Sequence, residues 1–160
     1  MHLLTTRLII DTEGRGSMTD TDQHANTLQL IPLARVSVAG GAVFKISGGP
    51  FGNRVVVGIS DGRWEGERFS GTIVGPGGDW AMPSASDAML LDVRQVVQTD
   101  DGATVYVTYN GRCDRSRGTY TVAPTFETAD ERYTWLNAVQ AIGQGRYENG
   151  RLNYEMFEVR

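Results

Sequence analysis

The sequence predicts an all-β fold, specifically an antiparallel closed β-barrel of about eight to ten strands with one short helix. Two turn signals lie between apolar-rich runs, the Asp-Asp-Gly triplet at residues 100–102 and the Asn149-Gly150 pair. Twenty glycines occur with few long helical patterns and no β-α-β rhythm. A sheet of this many strands generally closes on itself, because closure removes its unpaired edges.

Length and composition indicate one globular domain. The chain has 160 residues, of which 40% are hydrophobic, and this is enough to bury a core. Alternation of apolar residues begins at Leu28, whereas Asp11 to Gln23 is polar and without period. We therefore expect a flexible leader at residues 1–26 that is dispensable for folding, and a single barrel domain at residues 27–160.

Charge and cysteine content narrow the partners and the compartment. The net charge is −4 and no Lys/Arg-rich run is present, which argues against a nucleic-acid partner. The apolar patch from Leu3 to Ile10 is broken by Thr and Arg, so it predicts neither a signal peptide nor a membrane span. Cys113 is the single cysteine, which fits the reducing cytoplasm. We expect a cytoplasmic protein with no membrane partner.

Glycine-rich turns divide the first half of the domain into short strands. The pattern predicts strands over residues 28–38, 42–47, 54–60 and 68–74. The Gly48–Gly52 connection has the composition of a tight turn, since a phosphate-binding loop would need a following Lys-Ser/Thr and a helix. The next connection, Gly75 to Trp80, delivers a carboxylate and then a large aromatic side chain on an unusual backbone. A turn with a hydrophobic plug is the plainer interpretation of that loop.

The central hairpin has a strongly specified register. With Thr99 opposite Ala103, one face is apolar and the other is polar, and a slip of one residue would mix the two sets. The apolar face collects Leu91, Val93, Gln95, Val97, Val105, Val107 and Tyr109. The polar face collects Asp92, Arg94, Val96, Gln98, Thr104, Tyr106, Thr108 and Asn110. Which face lines the barrel stays open at this point.

The chain then passes through a loop, a short strand and a helix. The Arg-rich stretch at residues 111–118 has the character of a solvated loop, although its three guanidinium groups could also face an anion. A short strand is predicted at residues 120–122. Thr128 and Glu131 form a capping box, which predicts a helix over residues 130–136.

A last hairpin, predicted over residues 137–159, turns at Asn149-Gly150. Pairing Glu148 with Arg151 puts Gly143 and Gly145 on an otherwise apolar face. Missing side chains on that face indicate room for a ligand or for a close neighbour.

Five motifs together resemble the bacterial domain-of-unknown-function 3237 family, also called the uncharacterised UPF0311 family. They are GGPFGNR (48–54), DGRWEGERFSG (61–71), GPGGDW (75–80), LDVRQVVQTDDGATVYV (91–107) and FETADERYTWLN (126–137). The resemblance covers residues 28–160 and implies a compact β-barrel, often oligomeric, with no established general activity. It draws attention to Asp79, Trp80, Asp92, Arg94 and Tyr106. The family commonly shows Gly-Gly-Ala-Asp-Trp, and this sequence is one residue shorter before Asp79.

The residue inventory limits the chemistry of the domain. Both histidines, His2 and His24, lie in the leader, so the domain offers no Ser-His-Asp triad and no His-based metal site. We expect no metal and no cofactor, and acid–base work then falls to carboxylates, tyrosines and arginines. The candidate catalytic residues are Asp79, Arg94 and Asp92, and the candidate substrate-binding residues are Trp80, Tyr106, Tyr109 and Asn137.

The first hypothesis is a cofactor-independent isomerase, lyase or cyclase acting on a small, partly aromatic metabolite held in the barrel. Burial would raise the pKa of Asp79 so that it transfers a proton, with Trp80 as an aromatic wall and Arg94 as the anion partner. Asp92 and Arg94, two apart on one strand face, equally fit a structural ion pair.

The second hypothesis is a non-catalytic barrel that binds an apolar small molecule, and the third is a structural homo-oligomer. In the second, Gly143, Gly145, Tyr154 and Met156 line a cavity, with Gln95 or Tyr109 as polar handles. If the Leu91/Val93/Val97 face fills the lumen, Asp92 and Arg94 are outside and the enzyme hypothesis weakens. A homo-oligomer and a small-molecule ligand or substrate are the expected partners.

Overall fold

Eight antiparallel strands in sequence order form a closed barrel, in which β8 returns to pair with β1. The structure, a computed structural model, describes residues 27–160, so the predicted leader lies outside the described residues. The strands are β1 (Leu30–Gly49), β2 (Gly52–Glu65), β3 (Gly71–Pro83), β4 (Ala88–Thr99), β5 (Thr104–Asp114), β6 (Thr119–Glu127), β7 (Ala141–Glu148) and β8 (Arg151–Val159). A short 3₁₀ helix, Thr134–Ala138, connects β6 to β7. The predicted closed barrel is confirmed, with the strand number at the lower end of the expected range.

The central hairpin, β4–β5, has the predicted register. Thr99 N donates to Ala103 O over 2.8 Å, and Gly102 takes the left-handed conformation (φ 92°) that closes the turn. Its apolar face points into the barrel, since Val97, Val105 and Val107 have no exposed surface. The polar face is therefore the outer surface of the barrel, which answers the question that the pattern left open.

Aromatic side chains fill one end of the barrel, here called the closed end. The rings of Trp64, Phe69 and Phe126 lie 5.6–6.2 Å apart in tilted and edge-to-face arrangements. Leu136 of the 3₁₀ helix is fully buried with them. The β2–β3, β4–β5 and β6–β7 connections lie at this end.

The opposite end, here called the open end, carries the β1–β2, β3–β4, β5–β6 and β7–β8 connections. Three of its lumen-facing side chains are only partly buried, namely Met89, Tyr120 and Leu152. The pairing of β1 with β8 ends at Val38, and the remainder of β1 extends past β8 while paired with β2. Ligand access to the lumen is therefore expected at the open end.

Several glycines predicted as turns lie inside longer strands. Gly40-Gly41 does not end the first strand; the chain passes through a register shift there and continues to Gly49. Likewise, β3 runs through Gly75, whose φ of 67° and adjacent register shift mark a bulge rather than a loop. The predictions of turns at these positions were wrong because glycine permits a bulge as readily as a turn.

The predicted helix over residues 130–136 is also wrong in type and position. The backbone bonds run from each residue to the third before it, as in Leu136 N to Tyr133 O, and build only the short 3₁₀ helix. Thr128 does accept from Asp130 N over 3.2 Å, but its hydroxyl donates to Thr104 O on β5. The Thr128 side chain thus fastens the segment to the barrel instead of starting an α-helix.

Candidate functional site

The carboxylate of Asp79 lies on the lumen side of β3. Asp79 is directly opposite Val57 of β2 and Val93 of β4, and Val93 is buried in the core. Side chains of directly paired residues share one face of a sheet, so Asp79 faces the lumen. Its Oδ1 accepts a hydrogen bond from Asp92 N over 2.9 Å, next to a break in the β3–β4 pairing, which resumes at Met82.

The surroundings of Asp79 favour its neutral form. Burial is the largest effect and raises the pKa of the carboxyl above its ordinary value, and the nearby negative charge of Asp92 acts in the same direction. The hydrogen bond from Asp92 N opposes both effects but does not cancel them. The raised pKa makes the Asp79 carboxylate a stronger base than an ordinary aspartate, which favours a role in acid–base catalysis.

Two buried phenols belong to the same lumen layer as Asp79. The rings of Tyr109 on β5 and Tyr154 on β8 are 6.4 Å apart at 70°, and both side chains are almost fully buried. Burial raises the pKa of each hydroxyl, and the Asp79 charge raises both further. Both tyrosines therefore stay protonated near neutral pH and can donate hydrogen bonds to an oxyanion.

Tyr120 and Cys113 extend this layer towards the open end, and the sequence analysis did not select either one. They are cross-strand partners in β5–β6. Burial raises the pKa of Tyr120 to about 12 and also raises the pKa of the Cys113 thiol. Cys113 could have been found from the alternation of β5, because residue 113 lies on the same strand face as Val105, Val107 and Tyr109.

Arg94 and Asp92 lie outside the barrel. Arg94 Nη1 is 3.1 Å from Asp92 Oδ1, and the guanidinium carbon of Arg94 lies 5.3 Å from the ring centroid of Trp80. The predicted convergence of Asp79, Trp80 and Arg94 on one pocket is therefore wrong. Strand alternation separates Asp79 from Trp80, its immediate neighbour, and Arg94 pairs with Gly78 on the outer face.

Two further predicted binding residues are also away from the lumen layer. Tyr106 is on the outer face of β5 and is 38% exposed. Asn137 lies near the closed end, where its amide donates to Thr128 O and accepts from Thr128 N, each over 2.9 Å. Tyr109 is thus the predicted binding residue that shares the lumen with Asp79.

Gly143 and Gly145 make room for neighbouring side chains of the barrel. A Cβ atom at Gly143 would collide with Met156 Sδ, and one at Gly145 would collide with the Tyr154 ring. Of the two interpretations of these glycines, the close neighbour is the one that the structure supports. The space that they leave is occupied by Met156 and Tyr154 themselves.

The described residues outside the lumen layer offer few other candidate sites. Residues 27–160 contain no group of three or more His, Cys, Asp or Glu side chains placed to hold a metal ion. No helix in that range has the length and apolar composition of a membrane span. A groove of about 560 Å³ on the outer surface of β1, β2, β7 and β8 is lined by charges of both signs. It touches Gly145 and Tyr154 but none of the candidate catalytic or substrate-binding residues.

Comparison with known proteins identifies the family. The family model described as "Protein of unknown function (DUF3237)" matches residues 28–159. The chain belongs to this family. The match covers the whole described barrel, and the predicted resemblance to this family is confirmed.

Curated relatives of the chain include one enzyme. The hydroalkoxylation enzyme phnH of Penicillium herquei is 34% identical over 85 residues, which is 53% of this chain and 52% of that protein. A UPF0311 protein of Rhodopseudomonas palustris is 27% identical over 124 residues, covering 68% of this chain and 81% of that protein. At least one protein similar to this DUF3237 chain is therefore an enzyme.

Solved structures support the fold. A β-barrel-like protein of Acinetobacter baumannii superposes with a TM-score of 0.75 at 26% identity, covering 84% of this chain and 97% of that one. The DUF3237 barrel described above is thus shared with an experimentally determined structure.

Proposed function

We propose that the protein is a cofactor-independent acid–base enzyme that acts on a small, partly aromatic metabolite bound in the barrel. The reaction class that we favour is addition of an O–H group across a carbon–carbon double bond, which closes a ring when both groups belong to one molecule. The observation that carries the proposal is the position of Asp79, a lumen-facing carboxyl with a raised pKa beside two buried phenols. The similarity to a hydroalkoxylation enzyme supports the reaction class.

The proposed chemistry needs only proton transfer. Asp79 takes the proton of the substrate hydroxyl, whose oxygen then forms the new C–O bond as the double bond opens. The protonated Asp79 returns that proton to the other alkene carbon, so atoms balance and nothing is oxidised. Tyr109 and Tyr154 remain neutral. They donate hydrogen bonds to the substrate oxygen, where negative charge develops as its proton leaves.

Arg94 has no part in this proposal. Its charge is shared with Asp92 on the outer face, and both side chains are at least 40% exposed. An exposed pair of this kind contributes little to stability and lies on the wrong side of the sheet for the lumen. The acid–base assignment therefore rests on Asp79 and the phenols.

The test compares two carboxylates of adjacent strands. The probe is 2-allylphenol, a phenol whose hydroxyl group can add to the alkene of its own allyl group. The reaction is run in D₂O so that the product gains one deuterium on carbon. We expect Asp79→Asn to lower kcat/KM by roughly a hundredfold or more without lowering the melting temperature. Asp92→Asn, the matched outer control, should change kcat/KM by less than about threefold. Equal loss in both variants, or an unchanged rate in Asp79→Asn, would sink the assignment.

A non-catalytic binding barrel is the second candidate. The buried Tyr109–Tyr154 pair favours it as well, because a mostly apolar lumen with a few polar groups is typical of ligand sites. Ligand binding that survives in Asp79→Asn, with no turnover by the wild-type protein on any alkenyl phenol tried, would support this candidate instead.

A further inference from the structure

Gln95 is a fully buried amide without a hydrogen-bond partner. It lies on the lumen face of β4 between Val93 and Val97, and none of its surface is exposed. Among the buried side-chain nitrogen and oxygen atoms of the described chain, three lack a partner: Trp64 Nε1 and both amide atoms of Gln95. An amide in an apolar core lowers stability unless its donor and acceptor are satisfied, so this arrangement calls for an explanation.

The backbone of β3 bulges beside Gln95. The β3–β4 register runs from Val74–Val96 to Gly78–Arg94, so three residues of β3, Gly75 to Gly77, lie opposite Gln95 alone. A Cβ atom on Gly77 would lie 3.1 Å from Arg94 O and 3.4 Å from both Gln95 Cα and Ile59 Cδ1. The glycine at residue 77 therefore lets the backbone of β3 lie close against β4 beside Gln95.

Gln95 is also close to Asp79. Val93 is the direct partner of Asp79, and Gln95 is the next residue on the same face of β4. Diagonal neighbours of this kind have Cα atoms about 7–8 Å apart in an antiparallel sheet. The Asp79 carboxylate accepts from Asp92 N, so the two lumen groups are near each other without being bonded to each other.

We propose that Gln95 is a ligand-binding residue that holds a carbonyl group and a neighbouring O–H or N–H of the same ligand. The Nε2 group donates to the carbonyl oxygen and Oε1 accepts from the adjacent donor, which satisfies both amide atoms at once. The ligand class is thus an aromatic compound bearing a carboxylic acid, an amide or an equivalent donor–acceptor pair. This assignment deepens the proposed function, on which it rests for the idea that the group bound at Gln95 places the substrate beside Asp79.

The experiment uses benzamide as the probe and measures two properties of one variant, its melting temperature and its affinity for benzamide. Gln95→Met is similar in length and removes both polar atoms. We expect it to melt at the same temperature as the wild-type protein or higher, and to bind benzamide at least tenfold more weakly in calorimetry. A melting temperature several degrees lower with unchanged benzamide affinity would overturn the proposal, because Gln95 would then be a structural group satisfied by buried water.

A second measurement does not depend on that variant folding. N,N-dimethylbenzamide keeps the carbonyl but lacks the donor, and we expect the wild-type protein to bind it at least tenfold more weakly than benzamide. Equal affinity for both compounds would contradict the paired hydrogen bonds. Asp92→Asn, on the outer face, should bind benzamide as the wild-type protein does. Benzamide binding tests Gln95 and turnover of 2-allylphenol tests Asp79, so failure of the catalytic assignment and failure of the Gln95 assignment give different results.

Discussion

Asp79 Oδ1 accepts a hydrogen bond from Asp92 N over 2.9 Å, although the side chains of these two aspartates lie on opposite faces of the same sheet. One carboxylate faces the lumen and the two buried phenols. The other faces outwards and forms an ion pair with Arg94. Two chemically identical groups on adjacent strands thus have different surroundings, and comparing them separates the effect of the lumen from the effect of the charge.

The pH dependence of turnover should report the raised pKa of Asp79. If Asp79 is the base, only its ionised form is active, so kcat/KM rises with pH through the pKa of that carboxyl. Because burial raises this pKa, we expect the midpoint of the rise to lie above 3.8, the ordinary value for aspartate. A pH series on the wild-type protein measures it, and the same series on Asp92→Asn should show a lower midpoint, because that variant removes a negative charge that raises the pKa of Asp79. A midpoint at or below the ordinary value would contradict the assignment.

Stability should depend on pH in the direction set by the same shift. A carboxyl whose pKa is raised by folding contributes stability that is complete below its unfolded pKa and is lost as the pH rises through its folded pKa. At pH 7 the Asp79 carboxylate is therefore a cost, and we expect Asp79→Asn to melt above the wild-type protein. The difference should shrink towards zero as the pH falls below about 4. Thermal melts across this range, with Asp92→Asn showing no such gain, provide the check.

Alanine at the β7 glycines should destabilise the barrel. A methyl group at Gly143 or Gly145 meets Met156 or Tyr154, which are held by the surrounding core. We expect each substitution to lower the free energy of unfolding by about 1–3 kcal/mol, the usual cost of overpacking. Gly58→Ala is the matched control, because its nearest neighbour would be 3.7 Å away, and we expect a change within about 0.5 kcal/mol in denaturant titrations. Equal effects at the two kinds of site would show that backbone freedom, not space, decides the outcome.

The aromatic closed end should contribute strongly to stability. Phe126 packs edge-on against both Trp64 and Phe69 and is 7% exposed. We expect Phe126→Ala to cost about 3–5 kcal/mol in free energy of unfolding, measured by urea titration. Phe51→Ala removes the same side chain from the β1–β2 turn, where Phe51 is 83% exposed, and should cost less than about 0.5 kcal/mol. A loss below 1 kcal/mol for Phe126→Ala would mean that the cluster is loosely packed.

The sequence predicted the architecture well because period and turn chemistry agree along much of the chain. Both hairpins that turn at Gly102 and Gly150 have the expected registers, and the closed barrel follows from the strand count. The strand ends in the first half were less predictable, since a glycine bulge and a glycine turn have the same composition. Gly40-Gly41 and Gly75 are the clearest examples.

The site was only partly predictable. Asp79 and Tyr109 face the lumen, as the first hypothesis expects, but Arg94, its anion partner for Asp79, lies on the outer face. The predicted connection from Gly75 to Trp80 is a continuation of β3, and in a strand the alternation of side chains decides which residues meet. The pairing of Asp79 with Val93, which fixes the inner face, depends on the bulge at Gly75 and could not be counted from sequence.

The closed end also determines how molecules would pass through the barrel. Trp64 and Leu136 have no exposed surface, and Phe69 has almost none, so within residues 27–160 these packed side chains block that end of the barrel. A molecule bound next to Asp79 would enter and leave through the open end, and a second molecule could enter only after the first has left. For an enzyme built this way, accumulated product competes directly with fresh substrate, and inhibition by product is competitive.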